Sequence, residues 1–404
     1  MTSRAHLDDV ERRARLVARH HLGNGHRVDD VVAIANSLVA VHSSDPATPY
    51  LSFVARMTHP SLDAVSDALY RDRALVRVHA MRRTLWVFTP EVARLAHAAC
   101  TVSLARKEWE QLRRWVARSG IDEPDAWLDA ITNDVVAALH RLGPANTRAL
   151  GKAVPELTRK IVMGSGAWVT ESPAHARVLL YLGFDARIVR TEPSGSWISS
   201  EYAWRATDDW ISGGIAGSNP TTSRAELVAR YLRSFGPATM DDIRWWGGFA
   251  AVNAKAAIRD IDALEVTLDS GATGYVLADD AAGGSAPPAP TDIAFLPGLD
   301  STAMGWKGRS WYLGDHTTFG GPLFDRNGNV GPTVWSGGRV IGGWAQTADA
   351  RVVYELLEAV DRATSKAVAT AAERLAALLD GVRVTPRFPT PLQRLLAGSA
   401  SGTA

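Results

Sequence analysis

Apolar residues recur at Val31, Ile34, Leu38 and Val41, the spacing of one helix face, and again at Leu51, Phe53, Val54 and Met57. Pro46 biases Asp45 out of the α region, so the first of these helices is predicted to stop there. Thr48 as N-cap and Pro49 at the first helical position open the second. Another helix is predicted over 61–70. The period then changes, and "ALVRVHAMRRTLWVF" alternates as a hairpin does, with Met81, Arg82 and Arg83 at its tip.

The same succession returns twice. "RLGPANTRAL" (141–150) and "SFGPATMDDI" (234–243) each close a helix, pass through Gly-Pro-Ala and offer a Thr to cap the next helix. In the first copy, a helix over 126–142 leads through further helical stretches to the hairpin "ARIVRTEPSGSWISS". In the second, helices over 222–235, 240–246 and 250–261 lead to "LEVTLDSGATGYVLAD". Three helices followed by a two-stranded wing is the order of a winged helix, a module that meets duplex DNA or another protein. "AAGGSAPPAP" (281–290) is too rich in Gly, Ala and Pro to pack and predicts a linker. Beyond it, strand-like runs at 293–296, 310–313, 333–335 and 339–344 predict a small barrel-like β-domain, with a long amphipathic helix over 351–380.

The expected fold is therefore α+β, mainly α with β-hairpin wings. Tandem winged-helix modules occupy 1–120, 121–215 and 216–280, the linker 281–290 follows, a β-domain plus helix fills 291–396, and 397–404 form a disordered tail.

Composition narrows the class. The chain has 404 residues, 46% hydrophobic and 22% charged, as ordinary soluble domains do. No apolar run approaches the roughly 20 residues of a membrane span, and no secretory h-region is read near the N-terminus. A single cysteine, Cys100, rules out an internal disulfide and a zinc site built on several thiolates, and fits a reducing cytoplasm. Net charge is only +1, yet residues 1–119 carry 18 Lys and Arg against 12 Asp and Glu, and eight of the 11 histidines. A polyanionic partner would meet this third first.

Familiar motifs are missing. "GSGAWV" (164–169) lacks the third glycine and the preceding strand of a dinucleotide loop, and no P-loop, HExxH or GxSxG occurs. The 14 tryptophans can pack a core or stack on bases. Arg71, Arg73, Arg77, Arg82 and Arg83 surround the first hairpin, either as a solvated face or as phosphate contacts. Between the two apolar helices lies "VHSSDP" (41–46). Asp45 and the serines there can cap and turn the chain while His42 serves a helix-end carbonyl. Equally, an imidazole, a hydroxyl and a carboxylate on a rigid corner can hold and activate a water.

Five segments in order resemble the AlkZ/YcaQ family of winged-helix DNA glycosylases, the group that includes the azinomycin-resistance glycosylase. They are "AVHSSDPATPYLSFVAR", "MRRTLWVF", "YLRSFGPATMDDIRWWGG", "FLPGLDSTAMGWKGR" and "GGRVIGGW", and the resemblance covers most of the chain. In the family the first segment carries Gln-x-Gln or Gln-x-Asp; here His42 and Ser44 stand at those positions. His at the first position is reminiscent of family members that give self-resistance to trioxacarcin-type guanine alkylators.

The resemblance implies a monofunctional enzyme that hydrolyses the N-glycosidic bond of bulky, N7-alkylated guanine in double-stranded DNA, with no cofactor or metal and no obligate protein partner. Its implied catalytic residues are His42, Ser44 and Asp45. His42, with an unperturbed pKa of about 6.5, would orient the attacking water and accept its proton. Ser44 would hold the water, and Asp45 would orient His42 or face the cationic sugar. Phosphates would be met by Arg56, Arg82 and Arg83, and from the β-domain by Lys307 and Arg309. The alternative is a non-catalytic DNA-binding or regulatory protein retaining the remains of such a site.

Overall fold

Asp8 starts the first helix, α1 (Asp9–Arg19), by accepting from the Glu11 amide at 2.7 Å, and Asp9 and Glu11 place negative charge in its first turn. The computed structural model describes residues 4–164, 166–317 and 321–398. These fall into two units, and the division does not follow chain order: residues up to 66 join those from 225 onward, and 67–224 form the other. The boundary expected at 120 therefore lies inside the second unit.

In the first unit, α1 binds the segment predicted to be a free linker. Glu11 accepts from the Gly284 and Ser285 amides and the Ser285 hydroxyl, and Arg15 donates to the Asp280 and Ala282 carbonyls at 2.9 and 2.7 Å. The 281–290 stretch thus separates no domains, since both its flanks belong to one unit. Two charged side chains thus satisfy the Ala282 carbonyl and the Gly284 and Ser285 amides in place of secondary structure. Burial pushes the Glu11 carboxyl up, but Arg15, Ser285 and Gly284 prevail and hold it at about 2.

The strand His6–Leu7 runs parallel to Leu264–Leu268, which pairs antiparallel with Thr273–Val276, and Ala238–Thr239 closes the far edge. Leu7, Val266, Leu268 and Val276 bury their side chains together on one face. Thr239 caps the helix Met240–Gly247 in a reciprocal box with Asp242, worth about 1 kcal/mol.

A second antiparallel sheet runs Ile293–Leu296, Thr333–Ser336, Arg339–Gln346, Val352–Leu356. Its pairings form a linear order, not a closed barrel. Two expectations change here. The 310–313 run is a short helix, Ser310–Leu313, and the predicted 351–380 helix begins only at Arg362, where Asp361 accepts from the Thr364 amide at 2.7 Å. Ahead of that cap, β-branched "VVYEL" extends the sheet instead. The last helix, Pro391–Gly398, includes 397 and 398 of the expected tail; 399–404 lie outside the described residues.

The second unit holds four antiparallel strands in the order Leu85–Phe88, Val76–His79, Ile188–Pro193, Tyr202–Ala206. The helices Val102–Arg118, Pro124–Leu142 and His175–Phe184 share one core with it, centred on Leu128, Val135, Leu182 and Ile188. After Gly143, Asn146 and not Thr147 caps the next helix, accepting from the Ala149 amide at 2.9 Å. No described helix is long and apolar enough to cross a membrane.

Candidate active site

The chain reaches His42 through a strained turn. The second helix, α2 (Val31–Leu38), is capped by Asp30 and ends four residues before His42, earlier than its apolar stripe suggests. Val39 takes φ +61° and ψ −49°, and the Ala40 amide donates to the Leu38 carbonyl at 2.6 Å. This is a γ-turn of the rare hand, costing about 1–3 kcal/mol and held here by a β-branched residue with only 2% exposure. Val41 and His42 follow in extended conformation, both buried.

Ser301 fixes that extended pair. Its hydroxyl donates to the Ala40 carbonyl at 2.7 Å and accepts from the His42 amide at 3.3 Å. The Ser44 amide in turn approaches His42 Nδ1 at 3.4 Å. A neutral imidazole that accepts at Nδ1 carries its proton on Nε2. Beside it, the Ser43 hydroxyl is buried without a hydrogen-bond partner among the described residues, a feature no sequence signal marks.

Asp45 has a different setting from the one expected. Its carboxylate accepts from the Ala47 amide at 3.1 Å and the Arg387 amide at 3.3 Å, starting the third helix, α3 (Ala47–Val54). Thr48 is not the cap; its hydroxyl donates to the Gly298 carbonyl at 2.8 Å and ties the first turn to the loop ahead of Asp300. Burial raises the Asp45 carboxyl above its ordinary range against the opposing amides. Asp45 also borders a cavity of about 270 Å³ lined by Leu51, Pro297, Trp344, Val384 and Phe388.

Arg56 is not a phosphate contact. Its side chain has no exposure and grips Asp300 with both terminal nitrogens, at 2.9 and 2.8 Å, while also donating to the Ser52 carbonyl and the Thr302 hydroxyl. Burial pushes the Asp300 carboxyl up, but Arg56, the Ser52 hydroxyl and the Thr302 amide override it and hold it low. Thr302 also meets Nδ1 of fully buried His20 at 2.8 Å. The pair therefore braces the loop that carries Ser301.

The other expected contacts differ in setting. Lys307 is exposed and pairs with Asp241 at 2.9 Å. Arg309 is half-buried and donates to the Trp306 and Gly328 carbonyls, so it holds its own loop. In the second unit, Arg82 and Arg83 occupy the hairpin turn with φ of +54° and +61°. Arg82 lies 5.6 Å from the Trp86 ring centre; Arg83 is 54% exposed and reaches Glu108 at 2.5 Å. Arg77, expected beside them, is buried within the sheet against Tyr202. Cys100 is buried and its thiol is pushed up to about 12, which leaves it unreactive. Among the described residues, His140, Asp208 and Asp209 present ligand atoms within 4.8 Å of one another, but Arg205 already reaches Asp209 at 3.3 Å.

The family described as "DNA glycosylase AlkZ-like" matches residues 35–378. In fold, the chain is similar to the Streptomyces sahachiroi DNA glycosylase AlkZ, with a TM-score of 0.70 at 18% identity, covering 93% of this chain and 98% of that one. No curated protein matches the sequence.

Proposed function

The chain belongs to the AlkZ-like DNA glycosylase family, and on that premise we propose that it excises bulky N7-alkylated guanine from duplex DNA, with the His42 corner as the reacting site. The observation that carries this reading is the corner itself. A buried imidazole is fixed by Ser301 through its backbone and by the Ser44 amide at Nδ1, on a strained turn braced by a fully buried ion pair. Strain and a buried ion pair are costly, and such outlay concentrates at sites held for chemistry.

N7-alkylated guanine leaves as a neutral base, because breaking the C1′–N9 bond returns its electron pair to a cationic ring. What needs help is the oxocarbenium-like sugar and the water that attacks C1′. His42 Nε2–H orients that water in place of a glutamine amide, and the Ser44 hydroxyl accepts from it. The added proton leaves to solvent after the C1′–O bond forms. The Asp45 carboxylate supplies negative potential toward the cationic sugar.

The helix, helix, helix and hairpin successions are read as winged helices that track duplex DNA. Arg82, Arg83 and Lys307 are phosphate contacts, with Arg309 bracing the Lys307 loop. A cytoplasmic role in base excision repair, or in self-resistance to a DNA-alkylating natural product, follows from the same substrate.

The test is a duplex carrying one bulky N7-alkylguanine, incubated with protein and then heated in alkali to cut abasic sites. Scission that requires the protein and is lost in His42→Ala supports the proposal. A gel shift without scission assigns a non-catalytic DNA-binding protein instead, and no affinity even at low salt assigns a protein-protein module.

A further inference from the structure

We propose that the cleft between α3, the strand Ile293–Leu296 and the helix Arg362–Leu379 binds an aliphatic carboxylate of the fatty-acid class. The cleft has a volume of about 440 Å³, within the range of small-molecule sites. It exists because the face of the long helix turned toward it carries Ala363, Ala367 and Ala371 at successive turns, too short to reach Leu51, Val54 and Phe295 opposite. Apart from Phe295 the apolar walls are aliphatic, which suits a flexible hydrocarbon chain.

Charge identifies the other end of the occupant. Arg27, Lys366 and Arg374 line the cleft, and among the described residues no carboxylate does. Arg374 donates to the Met57 and Thr58 carbonyls and Arg27 to the Ile293 carbonyl, contacts that orient the guanidinium groups without neutralising them. Arg27 Nε is buried and has no acceptor among the described residues. Burial first, then the charge of Arg374, push the Arg27 guanidinium below its ordinary range, with Asp292 opposing. That aspartate is held by the Asn24 and Ala289 amides and does not line the cleft. Like charges on a mostly apolar wall, with Asn24, Thr291 and Thr370 as its neutral polar residues, are relieved by an anion whose body is apolar.

The experiment is calorimetric titration of the full chain with dodecanoate, below its micelle concentration, against neutral dodecanol. Expected are one saturable site for dodecanoate, affinity falling about fourfold per methylene removed, and dodecanol at least about tenfold weaker, as loss of a charged partner predicts. Ala371→Phe should abolish binding with the melting temperature retained; if that variant fails to fold, Ala367→Leu reports the same loss. Arg27→Gln should weaken dodecanoate alone. Absence of a saturable site, equal affinity for dodecanol, or undiminished binding by a folded cavity-filled variant would overturn the proposal. So would a dimer that Ala371→Phe dissociates, which would give the cleft to a second copy of the chain. None of these outcomes depends on base release.

Discussion

Arg56 and Asp300 form a two-point ion pair at 2.8 and 2.9 Å in which neither side chain has any solvent exposure. Removing the arginine alone leaves a buried carboxylate uncompensated, so Arg56→Met should cost about 3–5 kcal/mol. Denaturant titration measures this, and Arg56→Met combined with Asp300→Asn should recover part of the loss. DNA affinity of the folded fraction and its salt dependence should stay as in the wild type; a shallower salt slope would return Arg56 to the phosphate-binding set.

With Nδ1 facing the Ser44 amide at 3.4 Å, a neutral His42 has its proton on Nε2, a donor that a glutamine amide can replace. His42→Ala should therefore lower the single-turnover rate of base release by about 10²- to 10³-fold, as loss of one positioned donor does, while leaving DNA affinity intact. His42→Gln should retain release to within about tenfold, the margin expected when one oriented hydrogen bond is kept. Loss of release in both variants, together with a steep fall in rate as pH drops from 8 to 5 in the wild type, would instead make the imidazole a proton acceptor.

Ser301 never needs to touch substrate to matter. Ser301→Ala frees the Ala40 carbonyl and the His42 amide, costing about 1 kcal/mol of stability, and lets the imidazole drift. Displacement of a reacting group by an ångström costs up to about 10²-fold in rate, so kcat should fall with KM nearly unchanged. A proportional rise in KM would mean that the hydroxyl contributes to binding instead.

How much of this was legible in the chain depends on distance along it. The Val76–His79 and Leu85–Phe88 hairpin and the cap at Thr239 are local patterns, and the sequence shows them. The end of α2 is hidden from the sequence because Val41 continues the apolar stripe after Val39 has already turned the chain; periodicity records burial, not direction. Arg56 looked like a phosphate contact because Asp300 lies 244 positions away, and 281–290 looked free because Glu11 is as remote. At 352–356, a strand was absorbed into a helix prediction because its partner strand supplies the deciding hydrogen bonds.

Stability should fall in mild acid for a reason that can be isolated. Burial, with the Arg56 charge adding to it, pushes His20 down to about 3. The unfolded chain binds a proton below about pH 6.5 that the folded chain refuses until about 3. The contribution is therefore complete above that unfolded value and is lost as pH falls through the window, by about 2 kcal/mol at pH 5. His79, held down to about 3 by burial and then Arg190, acts with the same sign in the other unit. Unfolding of His20→Gln at pH 7 and pH 5 should show a smaller drop than the wild type by about that amount; equal drops would remove His20 from the account.

Arg82 and Arg83 belong to a different test. Replacing either with Gln should lower affinity evenly across DNA sequences and reduce the slope of log affinity against log salt by about 1. The Arg83 effect should be the smaller, since Glu108 already shares its charge. Unchanged slopes would take the hairpin turn out of the DNA interface.

The unit that holds His42 is assembled from the two ends of the chain. During synthesis His42 leaves the ribosome 259 residues ahead of Ser301, and Arg56 emerges long before Asp300. Residues 67–224 can gather their own core in that interval, but the turn at Val39 has nothing yet to hold it. A prematurely terminated polypeptide ending before 300 lacks Ser301 and Asp300, so the corner at His42 can be set only when translation of the C-terminal third is complete.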